Sequence, residues 1–216
     1  VRSPAAVEAL ETADERVALR LDAGSRIEAR LAIAADGAGS MLRRLAGIGA
    51  DGHDYGQSGV VGYVRSEHPH EDTAWQRFLP GGPLALLPCD DGLGSIVWTL
   101  PTDEAERVRA LDDAAFADAL TRASGGRLGA LAPVSARAVF PLRRQLVDTQ
   151  VAGRVLVVGD AAHVVHPLAG QGVNLGLRDV AALAASVGEA LQRDARWDAS
   201  QRLARWARTR RSENTL

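Results

Sequence analysis

The chain has 216 residues, enough for one or two domains with a sizeable core, and its 46% apolar share is ordinary for a globular protein. Its net charge of −2 provides no bulk field to recruit nucleic acid, and all of its 25 cationic side chains are arginine. A lone cysteine, Cys89, excludes an internal disulfide framework and fits a reducing, cytoplasmic setting, and no apolar run is long enough for a membrane-crossing helix.

In chain order, Arg16–Leu21 and Arg26–Ala35 read as strands, with Asp22-Ala23-Gly24-Ser25 supplying the turn of a hairpin. The second strand becomes wholly apolar at Leu31–Ala35, the texture of a strand entering a sheet buried on both faces. Ser40 is placed to cap a short helix that runs through Leu45 and is ended by Gly47. From Gly49 the texture changes to short strand-like runs: Gly59–Arg65, Thr73–Leu79, Leu84–Pro88 and Ser95–Leu100. Gly81-Gly82-Pro83 and Asp90-Asp91-Gly92 punctuate them, and their close spacing favours an antiparallel sheet. Helices are expected from Thr102 or Asp103, and after Asp112, which caps the second, with Phe116, Ala119 and Leu120 on one face. Arg137–Leu142 reads as a return strand and Val155–Val158 as a short buried one. Asn174–Gln192 carries Val180, Leu183, Ala184, Val187 and Leu191 at helical spacing. The final helix, Asp198–Arg211, puts Leu203 and Trp206 on one side and leaves Arg202, Arg205, Arg208 and Arg210 to a solvated face.

Chemistry concentrates where Gly159-Asp160-Ala161-Ala162-His163 runs into His166-Pro167-Leu168-Ala169-Gly170-Gln171-Gly172-Val173-Asn174. The order is strand end, acidic turn, Gly/Pro loop, helix. Asp160 falls at the carboxyl end of a buried strand, where ligands of open α/β sheets bind. An ionised carboxylate only accepts hydrogen bonds, which suits the hydroxyls of a ribose or ribityl chain. Ala161 and Ala162 leave room for a large ligand, Pro167 stiffens the loop, and Gly170 and Gly172 let backbone approach a flat ring without a Cβ clash. Asn174 begins the helix, whose unpaired amides and partial positive charge stabilise an anion by ~0.3–1 kcal/mol. A reduced flavin is such an anion. A Gly-Asp turn alone is most often a packing junction; the whole run in register points to a flavin nucleotide.

A second acidic turn, Ala35-Asp36-Gly37-Ala38-Gly39-Ser40, follows the earlier buried strand, and Arg43 stands one helical turn beyond Ser40. Asp36 can tie this turn to neighbouring loops or to a cofactor, and Arg43 can face a carboxylate or phosphate. Alone the segment is evenly balanced between a capped turn and a site. Paired with the first it becomes specific.

Ala35-Asp36-Gly37-x-x-Ser40-x-x-Arg43 resembles the Asp-Gly motif of the class A flavoprotein aromatic hydroxylases, and Gly159-Asp160 through Asn174 resembles their second FAD motif. Within that family the ubiquinone-biosynthesis hydroxylases are the nearest match, on Tyr55-Gly56-Gln57, Gln76-Arg77-Phe78-Leu79-Pro80, Gly82 to Pro88, Ser95-Ile96-Val97-Trp98 and Gly176-Leu177-Arg178-Asp179-Val180. The resemblance implies FAD as cofactor, NAD(P)H as co-substrate, and O₂. Oxygen would pass from a flavin C4a-hydroperoxide to the ring of a small aromatic or polyprenylated phenol substrate. The cofactor-binding residues it implies are Asp36, Arg43, Gly159, Asp160, Pro167, Gly170, Gln171, Gly172 and Asn174, with no catalytic side chain assigned. It also implies association with the inner face of a membrane or with a quinone-biosynthesis complex.

The expected fold class is α/β: a Rossmann-like FAD-binding layer with an inserted antiparallel-sheet (α+β) substrate domain. The expected segments are 1–48 and 148–195 in the FAD-binding domain, 49–147 in the sheet domain, and 196–216 as the start of a C-terminal helical segment. The family's N-terminal βαβ unit, which carries G-x-G-x-x-G for the FAD pyrophosphate, is not found in the chain. The expectation is therefore a sequence truncated at both ends, lacking its N-terminal βαβ unit, that binds FAD weakly or not at all when isolated. The alternatives are a hydroxylase of another aromatic in secondary metabolism and a non-catalytic remnant. His163 with His166 lacks a further acidic or cysteine ligand in register, and the ligand-rich Glu67–Asp72 loop, with Pro69 among its charges, fits a solvated loop between strands, so both read as non-metal features.

Overall fold

A computed structural model describes residues 1–22, 24–165 and 171–214, apart from the side chain of Gln171. The chain divides into two units: Val1–His53 with Arg143–Leu216, and Asp54–Leu142.

The first unit opens with an antiparallel sheet of β1 (Val7–Thr12), β2 (Val17–Leu21) and β3 (Arg26–Ala29). β1 was not expected: its apolar residues are sparse, and it is a strand because it pairs β2 from Val7↔Leu21 to Thr12↔Val17. The expected single strand Arg26–Ala35 is two. After β3 the chain leaves one sheet and enters another as β4 (Ala32–Ala34), so the change from alternating to wholly apolar texture marks a change of partner. β4 runs parallel to β12 (Val155–Val157), with Ala34 opposite Val157, and β11 (Val151–Ala152) pairs the other side of β12.

Val17, Ala32, Ala34, Val147, Val155 and Val157 share one core with Leu42 of α1 (Met41–Leu45). On the other side of β12, Leu156 and Val158 pack against Leu203, Trp206 and Ala207 of α5 (Ser200–Asn214). Val155, Leu156 and Val157 have no exposed surface, which explains a strand that is apolar at every position.

The second unit is built on the antiparallel neighbours β5 (Ala50–Ser66), β8 (Leu93–Pro101), β7 (Gly82–Pro88) and β6 (Trp75–Leu79), in that order. β10 (Ala138–Val147) lies on the outer side of β5, and β9 (Leu131–Pro133) also pairs β5. β5 begins earlier than its apolar run because ladder pairing carries the strand through Gly- and Asp-rich positions. α2 (Thr102–Arg109) and α3 (Asp113–Ser124) cover one face, and the Asp112 carboxylate accepts the Ala115 amide at 2.8 Å as the α3 cap. Phe116 and Leu120 of α3 meet Val60, Val64, Leu84, Leu86, Ile96 and Trp98 in the core. Full burial of each such large side chain is worth about 1.5–3 kcal/mol.

Alternation puts Gly59, Val61, Tyr63, Pro83, Ala85, Leu87, Ser95 and Val97 on the opposite face of this sheet. Phe78 opposes Pro83, and Leu142 of β10 lies 3.8 Å from where a Gly59 Cβ would stand. That face leaves Phe78 74%, Phe140 57%, Tyr63 50% and Leu87 41% exposed.

Candidate functional site

β4 and β12 are parallel neighbours, so both acidic turns emerge from carboxyl ends on one sheet edge. After Ala34 the chain makes the Asp36-Gly37 turn; after Val157 it makes a single 3-10 turn, Gly159–Ala161. Arg43 joins the two. Its guanidinium donates to the Ala161 carbonyl at 2.8 Å and to the Ala38 carbonyl at 3.0 Å, and the residue is only 6% exposed. Burial, with Arg44 beside it, draws the Arg43 pKa down, while Asp36 opposes that shift. Pairing with backbone of both turns was not anticipated for Arg43: it clamps one motif to the other with these two hydrogen bonds.

Asp36 faces its own helix. Its carboxylate accepts the Ser40 hydroxyl, the Met41 amide at 2.8 Å and the Leu42 amide at 3.3 Å, while the Ser40 hydroxyl oxygen accepts the Arg43 amide at 3.0 Å. Burial pushes the Asp36 pKa up, but the hydrogen bonds from Ser40, Leu42 and Met41 outweigh it and hold the group below its ordinary value. Asp160 differs. It is exposed at the tip of its turn, and its carboxylate has no hydrogen-bond or ion-pair partner among the described residues.

Several local expectations are corrected. Ala161 and Ala162 do not leave room for a ligand: both are fully buried in the core beneath the turn. α4 (Gln171–Gln192) starts three residues before Asn174, so Asn174 lies within its first turn, among amides that lack a partner inside the helix. Gly172 is also in that turn, and among the described residues a Cβ there would meet nothing within 4 Å. Pro167 and Gly170 lie outside the described residues, as does the side chain of Gln171. The anticipated face of α4 is partly reversed. Val180 and Leu191 are exposed at 52% and 62%, whereas Asp179 is fully buried. Arg210, assigned to a solvated face of α5, is 2% exposed.

Periodicity missed what lies beneath the Gly159–Ala162 turn because the buried group is charged. Asp179 Oδ2 accepts the Gly159 amide at 3.1 Å and contacts His163 Nε2 at 2.6 Å, and Oδ1 accepts Arg210 Nε at 2.8 Å. Burial raises the Asp179 pKa, but the hydrogen bonds from His163 and Arg210, with that from Gly159, bring it down to about 2. Gly176, one turn earlier on α4, lies against Gly159: a Cβ at Gly176 would stand 3.1 Å from the Gly159 Cα. An aspartate three residues after a glycine on a helix, in Gly176-Leu177-Arg178-Asp179, was the available signal.

The profile of the FAD binding domain family matches residues 5–212. The chain belongs to this family. It is 40% identical to 3-demethoxyubiquinol 3-hydroxylase of Escherichia coli (strain K12) over 225 residues, covering 100% of this chain and 55% of that protein. It is 39% identical to Ubiquinone hydroxylase UbiL of Rhodospirillum rubrum over 214 residues, covering 99% of this chain and 50% of that protein. The chain thus spans about half the length of these curated relatives. The solved structure of P. aeruginosa PqsL in complex with 2-aminobenzoylacetate superposes with a TM-score of 0.78 at 26% identity, covering 98% of this chain and 59% of that one. The mixed α/β fold with its antiparallel sheet and the resemblance to ubiquinone hydroxylases both stand, and FAD is the cofactor of the family. No helix among the described residues is long and apolar enough to cross a membrane.

Proposed function

We propose that the protein to which this chain belongs is an FAD-dependent, NAD(P)H-using monooxygenase that hydroxylates the aromatic ring of a polyprenylated phenol in ubiquinone biosynthesis. The observation that carries the reading is the Asp160 carboxylate, exposed and without a partner among the described residues, on the edge where the two motifs are clamped together by Arg43. A sugar or ribityl hydroxyl would give this acceptor the donor it lacks. The first-turn amides of α4 suit a flat, electron-accepting ring. FAD, once bound and reduced by NAD(P)H, supplies the oxygen-activating chemistry.

In this reading the chain's own residues bind and orient. Asp160 fixes the sugar side of the cofactor, and the α4 amides favour negative charge on the ring. Arg43 and Asp36 hold the scaffold of the edge. The open sheet face, with Tyr63, Phe78, Leu87 and Phe140 exposed, offers apolar and aromatic contact of the kind a prenylated phenol needs. Such a lipid-like substrate is the reason to place the whole protein at a membrane surface or in a quinone-pathway complex.

The test uses the full-length protein. Asp160→Ala should raise the FAD Kd about tenfold to a hundredfold, the loss of one charge-assisted hydrogen bond. Incubation with a polyprenylated phenol, NAD(P)H and O₂ should give a product one oxygen heavier. Unchanged FAD affinity in Asp160→Ala would overturn the cofactor reading. Turnover of unprenylated aromatics alone would overturn the substrate.

A further inference from the structure

The described residues place five donor contacts from three parts of the chain around one fully buried carboxylate under the Gly159–Asp160 turn. Asp179 receives the Gly159 amide at 3.1 Å, His163 Nε2 at 2.6 Å and Gln150 Nε2 at 3.4 Å on Oδ2. Arg210 Nε at 2.8 Å and Asn214 Nδ2 at 3.3 Å approach Oδ1. An ionised carboxylate accepts only, so the proton of the His163 contact sits on Nε2 and the ring is held in one orientation. The Arg210 guanidinium extends onward to Glu213 and, at 3.0 Å, to Asn214, locking the end of α5 onto the same centre.

Two of the five donors belong to the cofactor turn and the strand that follows it. Gly159 is the residue before Asp160, has a left-handed φ of 58°, and packs its Cα against Gly176 one turn from Asp179 on α4. His163 begins β13 (His163–Val164), three residues after Asp160. The turn is therefore gripped on both sides of Asp160 by one acceptor, while Asp160 has no tie of its own among the described residues.

We propose that Asp179 is a positioning residue for the cofactor: by holding the Gly159 amide and the His163 ring it aims the Asp160 carboxylate outward, with Arg210 of α5 as its buried counter-cation. This rests on the reading of Asp160 as a flavin-holding residue. Asp179 touches no ligand in this scheme. It acts through the turn.

A purely structural role would also lower stability on substitution, so the chain's other fully buried aspartate serves as the control. Asp198 is paired with Arg30 at 2.5 Å and Arg154 at 3.4 Å, and among the described residues none of its hydrogen bonds or ion pairs reaches the Gly159–Ala162 turn. Asp179→Asn and Asp198→Asn would be compared in the full-length protein by melting temperature, FAD Kd and the visible circular dichroism of bound flavin at saturating FAD. Asp179→Asn is expected to raise the FAD Kd about tenfold or more and to change the flavin dichroism, whereas Asp198→Asn stays within about twofold on Kd. Equal changes in Kd for the two variants, or wild-type binding by Asp179→Asn, would overturn the proposal.

If Asp179→Asn does not fold, His163 decides. His163→Gln keeps an N–H to donate and should retain most of the affinity, whereas His163→Leu should lose about tenfold; equal affinity for both overturns the proposal. The two readings also fail separately. No effect of Asp160→Ala on FAD binding sinks the functional reading, while a clear effect of Asp160→Ala with none in the Asp179 and His163 variants sinks only the positioning role.

Discussion

The two acidic turns look alike in sequence and sit side by side on one sheet edge, yet their carboxylates do opposite things. Asp36 is turned back on its own helix and accepts from Ser40, Met41 and Leu42. Asp160 is exposed and has no partner among the described residues. The difference teaches where a motif residue is scaffold and where it is an available acceptor. A carboxylate whose lone pairs are taken up by a helix start has less capacity left for a ligand than one held out on an exposed turn.

That contrast can be broken by the order of stability losses, measured as unfolding free energies from denaturant titrations. Arg43→Met should be the most damaging, about 2–4 kcal/mol, because it strips the donor from the buried Ala161 carbonyl and from Ala38 and unclamps the turns. Asp36→Ala comes next at about 1–2 kcal/mol, as expected for a capping carboxylate. The acid limb follows. The folded Asp36 pKa lies below its unfolded value, so its stabilisation is present above about pH 4 and drains away as pH falls through the folded value. Asp36→Asn should flatten that part of the profile, by little, because the group is exposed. Asp160→Ala should do least, within about 0.5 kcal/mol of the parent. A stability loss for Asp160→Ala as large as that for Asp36→Ala would erase the distinction.

Much of this was legible in the chain itself. Asp36, Ser40, Arg43, Gly159 and Asp160 were singled out by the order strand, acidic turn, helix, and the structure brings all five to one edge. The Ser40 and Asp112 caps were read correctly because capping is local: a short polar side chain reaches an amide three residues on. The misses share a different cause. Asp179 and Arg210 look like surface residues by type and by periodicity, and only a partner from a distant segment makes their burial tolerable. β3 and β4 were fused because a run of residues does not reveal that its hydrogen-bonding partner changes midway. Ala161 and Ala162 were read as space when they are packing, since a small side chain leaves room only if no other atoms fill it.

The pairing of β4 with β12 carries one further consequence, for the order in which the molecule assembles. These strands touch in space, but the whole of the second unit lies between them in sequence. Closing them while that stretch is unfolded means closing a long loop, with the entropy loss that entails. Once the stretch has folded, its entry strand β5 and exit strand β10 are hydrogen-bonded neighbours, and the loop is effectively short. The sheet thus acts as an internal splint. Substitutions in its own core, at Phe116 for example, should delay the meeting of the two acidic turns without touching either of them.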